Sequence, residues 1–122
     1  MSNQTVEIQL GDKIYELRFE FGEVANLEKH FGKQLGYILS SEEQLGFDTI
    51  RGLYYCGLKW GRYKGITMDW LEIVLGKEVK NKLADGKAYD VILQELFTAP
   101  MEALKAQGYF QNKDVEVVEE KN

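Results

Sequence analysis

The segment spanning residues 47–60 constrains this chain more than any other. Phe47, Ile50, Tyr54 and Leu58 recur at helical spacing, and Leu53, Cys56 and Trp60 form a second stripe beside the first. A helix that is apolar over so much of its circumference has to be covered from several sides. The rest of the chain must supply that cover. Gly52 and Gly57 lie inside the helix, each costing about 1 kcal/mol relative to alanine. That cost makes sense where another backbone has to come close.

The remaining segments read as the cover. Val6, Ile8 and Leu10 alternate with Glu7 and Gln9, the period of a half-buried strand. Gly11 and Asp12 turn the chain into a second extended run with Ile14, Tyr15, Leu17 and Phe19, so the two runs predict a β-hairpin. A lone hairpin is marginal in water and must pack on something. Val24, Leu27, His30 and Phe31 then fall at helical spacing, with Gly32 as the stop. Residues 35–39 predict a short helical piece, and Ser40 and Ser41, with Glu43 and Gln44 three residues on, predict capping boxes for the central helix.

Beyond a loop over residues 61–65, Thr67 is placed to cap a helix with Trp70, Leu71, Val74 and Leu75 inward. Gly76 is expected to end it, with Val79 and Leu83 in one or two further turns before Asp85 and Gly86. Tyr89, Ile92, Leu93, Leu96 and Phe97 share one face of the next helix. Pro100 fits the first turn of a last helix, capped by Thr98, with Met101 and Leu104 inward and Gly108 as its stop. The expectation is an α+β, mainly α fold: an N-terminal β-hairpin packed on a bundle of five or six short helices. It forms one globular domain over residues 1–110, and residues 111–122 are an acidic flexible tail.

The charge narrows the function. A formal charge of −5 lacks the basic footprint of a nucleic-acid binder. No apolar run approaches the roughly 18 residues that suggest a membrane span, and the polar N-terminus is unlike a signal peptide. The single cysteine allows no intrachain disulfide, which suits a cytosolic setting.

Catalytic and metal-binding patterns are missing. The only histidine, His30, shares a helix with Leu27 and Phe31 and reads as a boundary residue with a hydrogen-bonded ring. Cys56, in the most apolar helix, reads as a buried, inert thiol. Ser40 and Ser41 are accounted for as caps, and Glu42–Glu43 and Glu119–Glu120 as solvated pairs. No phosphate-binding glycine loop and no metal-ligand spacing occurs, so no cofactor and no metal is expected.

One run remains. Lys59, Trp60, Arg62, Tyr63 and Lys64 interleave three cations with two aromatics. Cations at a helix C-terminus complement its dipole, and their stems cover apolar rings. The same group is the candidate partner-binding patch, suited to an acidic protein surface more than to phosphates.

The order of segments carries a resemblance. A hairpin containing K-I-Y-E-L-R-F-E-F (13–21) precedes V-A-N-L-E-K-H-F-G (24–32), then I-R-G-L-Y-Y-C-G-L (50–58), then G-I-T-M-D-W-L-E-I-V-L-G (65–76). Over residues 6–76 this resembles the tail assembly chaperones of long-tailed bacteriophages and prophages. The resemblance implies a non-catalytic protein that binds the tape measure protein, keeps it soluble in the host cytoplasm while the tail tube grows, and is absent from the mature virion. It implies a relation to the tail tube protein through a longer, frameshifted form. The terminal Glu120-Lys121-Asn122 can be encoded by A AAA AAC, a slip string, although a merely solvated terminus is the plainer reading. The alternative is a phage-encoded adaptor or regulatory module that uses the basic-aromatic loop, and a small enzyme ranks last. Apolar helices beside an open hairpin edge further predict self-association or binding of apolar helices.

Overall fold

The alternating residues of the N-terminus pair as an antiparallel hairpin, β1 (Val6–Leu10) with β2 (Lys13–Leu17), in a computed structural model that describes residues 6–40, 46–58 and 65–109. The register places Val6 opposite Leu17, Ile8 opposite Tyr15 and Leu10 opposite Lys13. Directly opposed residues share a face, so Tyr15, Leu17 and, two residues on, Phe19 point the same way. Leu10, Leu17 and Phe19 are buried. Ile14 stands three residues from Leu17, on the other face of the strand, and is 65% exposed.

Five helices follow among the described residues: α1 (Phe21–Phe31), α2 (Leu35–Ser40), α3 (Phe47–Leu58), α4 (Met68–Ala84) and α5 (Tyr89–Ala106). The fold is α+β, mainly α, as the sequence predicts. At the start of α1 the Glu23 carboxylate accepts the Glu20 backbone N–H at 3.0 Å. At its end Gly32 takes the left-handed conformation, φ +67°, the predicted stop. Glu28 then accepts the N–H of Leu35 at 2.8 Å, holding the start of α2 against α1. Ser40 is the last residue of α2, its hydroxyl donating to the Tyr37 carbonyl. The expected capping partners, residues 41–44, lie outside the described residues, as do Trp60, the loop at 61–64 and the tail at 111–122.

Helix α3 is the centre. Ile50, Leu53, Tyr54, Cys56 and Leu58 are all buried, with α1, β2, α4 and α5 packed around them. The two glycines have their predicted reason, in part through rings rather than backbone. A Cβ on Gly52 would lie 2.7 Å from the Phe31 ring, and one on Gly57 2.8 Å from Phe19 and 2.9 Å from Leu17. Gly57 also admits a backbone, since its carbonyl accepts the Arg18 N–H at 3.0 Å.

Two expected breaks do not occur. Thr67 caps α4 as predicted, accepting the Trp70 N–H at 3.1 Å, but α4 runs through Gly76 to Ala84. Glycine in a helix interior costs about 1 kcal/mol without ending the helix; a stop needs positive φ. Gly86 supplies it at +87°, where the N–H groups of Gly86 and Lys87 bond back to the Leu83 and Lys82 carbonyls.

Helix α5 likewise runs through Pro100, which is buried inside it. Thr98 caps nothing; its hydroxyl donates to the Gln94 carbonyl at 3.0 Å. Proline at position 100 removes the N–H that would bond the Leu96 carbonyl. The Tyr54 hydroxyl donates to that same carbonyl at 2.8 Å, in the buried interior. A side chain from α3 thus supplies the hydrogen bond that α5 cannot make for itself. Gly108 closes α5 as expected, at φ +94°.

Candidate functional site

The helices leave an open cleft of about 490 Å³ between α3, α4 and α5. Its apolar wall comes from Ile50 of α3, Leu75 and Val79 of α4, and Leu96 of α5. Gly76 also lines it, exposed and with nothing within 4 Å of where a Cβ would stand, so its missing side chain widens the cleft. Phe47 stands at the mouth, 39% exposed, where the double stripe predicts a buried residue. It meets Tyr89 edge-on, ring centres 5.1 Å apart, and Tyr89 is 56% exposed rather than inward. Both rings lie in the first turns of their helices, where less of the protein is available to cover them.

The rim is charged. Arg51 reaches Asp48 on its own helix and Glu72 on α4, each at 2.5 Å. These bonds, Asp48 first and Glu72 after it, hold the guanidinium above its ordinary pKa. Outside the cleft lining, between α4 and α5, Glu95 of α5 takes Lys82 of α4 at 2.6 Å and Lys87 at 2.8 Å. Lys82, then Lys87, pull its carboxyl below the usual range. Ion pairs therefore fasten α4 to α3 at the edge of the apolar trough and α4 to α5 beyond it. The Tyr54 hydroxyl is pushed well above its usual pKa by burial, with the Glu78 charge adding to it, so it stays a hydrogen-bond donor to Leu96.

The apolar wall of such a cleft can take apolar side chains. Cys56 is buried, its thiol pushed up to about 11 by burial and then by Glu23, which keeps it from acting as a nucleophile. His30 is exposed on α1, its ring edge-on to Phe31 at 4.7 Å, a ring contact where a hydrogen bond was expected. Among the described residues no cluster of His, Cys, Asp or Glu could hold a metal ion, and no helix is long and apolar enough to cross a membrane.

The predicted partner-binding patch, Lys59, Trp60, Arg62, Tyr63 and Lys64, lies outside the described residues. The cleft was missed by sequence reasoning. Its floor combines residues from three helices, each of which reads as core along its own helix. The one local signal was Gly76, an unfilled position on a helix face. Comparison of the chain with protein-family models, with curated proteins and with solved structures yields no match.

Proposed function

We propose that this chain is a tail assembly chaperone of a long-tailed bacteriophage, a non-catalytic protein of the host cytoplasm that binds a tape measure protein and keeps it soluble while the tail tube grows. The observation that carries the reading is the α3–α4–α5 cleft, apolar at its floor and edged by the Asp48–Arg51–Glu72 cluster. A long helical protein awaiting its tube exposes apolar faces, and such faces aggregate. A groove of this kind accepts the apolar ridge of an amphipathic helix, while the net charge of −5 keeps the complex dissolved. The segment order over residues 6–76 supports the same reading.

Co-expression tests it. With this chain present, the tape measure protein encoded beside it should move from the pellet to the soluble fraction. Gly76→Phe should fill the cleft from its exposed edge, abolish that effect and leave the melting temperature unchanged or higher. A partner equally insoluble with and without the chain sinks the assignment. Full activity in the Gly76→Phe variant moves the site elsewhere on the molecule.

A further inference from the structure

A second cleft, of about 620 Å³, runs along the outer side of α5 beside Leu39 of α2 and plays no part in the reading above. Leu93, Phe97 and Met101, four residues apart and half-buried, form a stripe down its length. Asp90 stands at one end of the stripe and Lys105 at the other, both exposed. Neither carries an ion pair to another described residue.

The arrangement is symmetric about its own middle. Asp90 and Lys105 are equidistant from a point between Phe97 and Thr98, and Leu93 and Met101 are equidistant from Phe97, half a residue from that point. Turned end for end about that point, Asp90 meets Lys105, and the apolar stripe, centred half a residue away on Phe97, lies along itself displaced by one residue, about 1.5 Å, with Gln94, Thr98 and Glu102 on its flank. A parallel arrangement would set Asp90 against Asp90 and Lys105 against Lys105. The antiparallel one pairs opposite charges at both ends, roughly 22 Å apart at 1.5 Å per residue, and opposes the helix dipoles.

We infer that this face is where two copies of the chain pair, α5 against α5, about a two-fold axis beside Phe97. Such a contact is isologous, one patch meeting its own copy. One helix pair falls toward or below the low end of stable interfaces, about 1,200 Å², so the pairing is concentration-dependent.

Sedimentation equilibrium of the full chain tests this, over a series reaching the millimolar range. A monomer–dimer equilibrium is expected. Asp90→Lys alone and Lys105→Glu alone each place like charges together twice per dimer and should weaken it about tenfold. The Asp90→Lys/Lys105→Glu double variant restores opposite charges at both ends and should return the wild-type dissociation constant. Both positions are exposed, so these swaps leave the monomer folded. Phe97→Glu, at the axis, should give monomer throughout. A wild-type chain that is monomeric at every concentration overturns the inference. So does a double variant as weak as the singles, because only the antiparallel two-fold predicts rescue. Neither result touches the tape-measure assay, which reads the other cleft.

Discussion

The two sides of α3 are built on different rules. Toward the hairpin and α1, α3 carries glycines at 52 and 57, and the rings of Phe31 and Phe19 press into the space their missing side chains leave. Phe19, Leu17 and Leu27 are wholly buried there, and the Arg18 N–H bonds the Gly57 carbonyl across the contact. Toward α4 and α5 the packing opens. A cleft remains, a third glycine at 76 faces empty space, and ion pairs span what side chains leave unfilled. The same residue type thus does opposite things on the two sides. Glycine brings elements together on the first and keeps them apart on the second. A protein that must hold a shape and also receive a partner can divide the two tasks in this way, one face drawn close at its glycines and the other left incomplete.

The largest test strikes what both sides share. Leu53 is wholly buried in α3. Leu53→Asp would leave an unpaired charge there, a cost comparable with the whole stability of such a domain, about 5–15 kcal/mol. Circular dichroism should find no cooperative melting. A soluble variant with an unchanged melting temperature would show that α3 is not the shared centre.

The next test concerns the bond that ties the open side down. Tyr54→Phe leaves the Leu96 carbonyl without a donor and should cost about 1–3 kcal/mol in urea unfolding. Pro100→Ala returns a backbone N–H to that carbonyl, so in the Pro100→Ala background the Tyr54→Phe loss should shrink. Equal losses in both backgrounds would mean that the hydroxyl and the proline are unrelated.

The glycines sharpen the contrast further. Gly57→Ala drives a methyl into Phe19 and Leu17, overpacking worth about 1–3 kcal/mol, partly offset by about 1 kcal/mol of helix propensity. Gly76→Ala meets nothing and should gain up to about 1 kcal/mol. Thermal melts that move in the same direction for both variants would erase the distinction between the two sides.

The smallest effect belongs to the clamp. Glu95 has its carboxyl lowered by Lys82 and Lys87, so its contribution is complete above the ordinary carboxylate range and disappears as pH falls through the lowered value. Glu95→Gln should lower the melting temperature slightly at neutral pH and low salt. It should have no effect in acid or in concentrated salt. A loss that persists in acid would point to packing rather than charge.

Much of this was legible in the residues. The hairpin, the stop at Gly32, the Thr67 cap and the burial of α3 follow from spacing and local chemistry, which a sequence displays directly. The breaks expected at Gly76 and Pro100 failed because a helix breaker acts only when the chain uses the freedom or loses a bond it cannot replace. Gly76 keeps helical φ, and the bond lost at Pro100 is replaced by Tyr54, 46 positions earlier in the chain. The cleft was illegible for a different reason. A void is defined by what three helices fail to fill between them, and no single helix records that in its sequence.

The lone cysteine gives the molecule a built-in reporter of its own opening. Cys56 lies in α3, 6% exposed, with its thiol held protonated at neutral pH. It borders an open cleft beside Asn26, Lys29 and His30 of α1, so a thiol reagent gains full access to it when α1 draws away from α3. At neutral pH and limiting openings, the rate of labelling therefore counts excursions of the α1 side, not those of the α3–α4–α5 cleft. Motions on the α4–α5 side would leave that rate unchanged, while separation of α1 from α3 would raise it. The untouched chain can therefore distinguish breathing at the α4–α5 cleft from the first step of its unfolding.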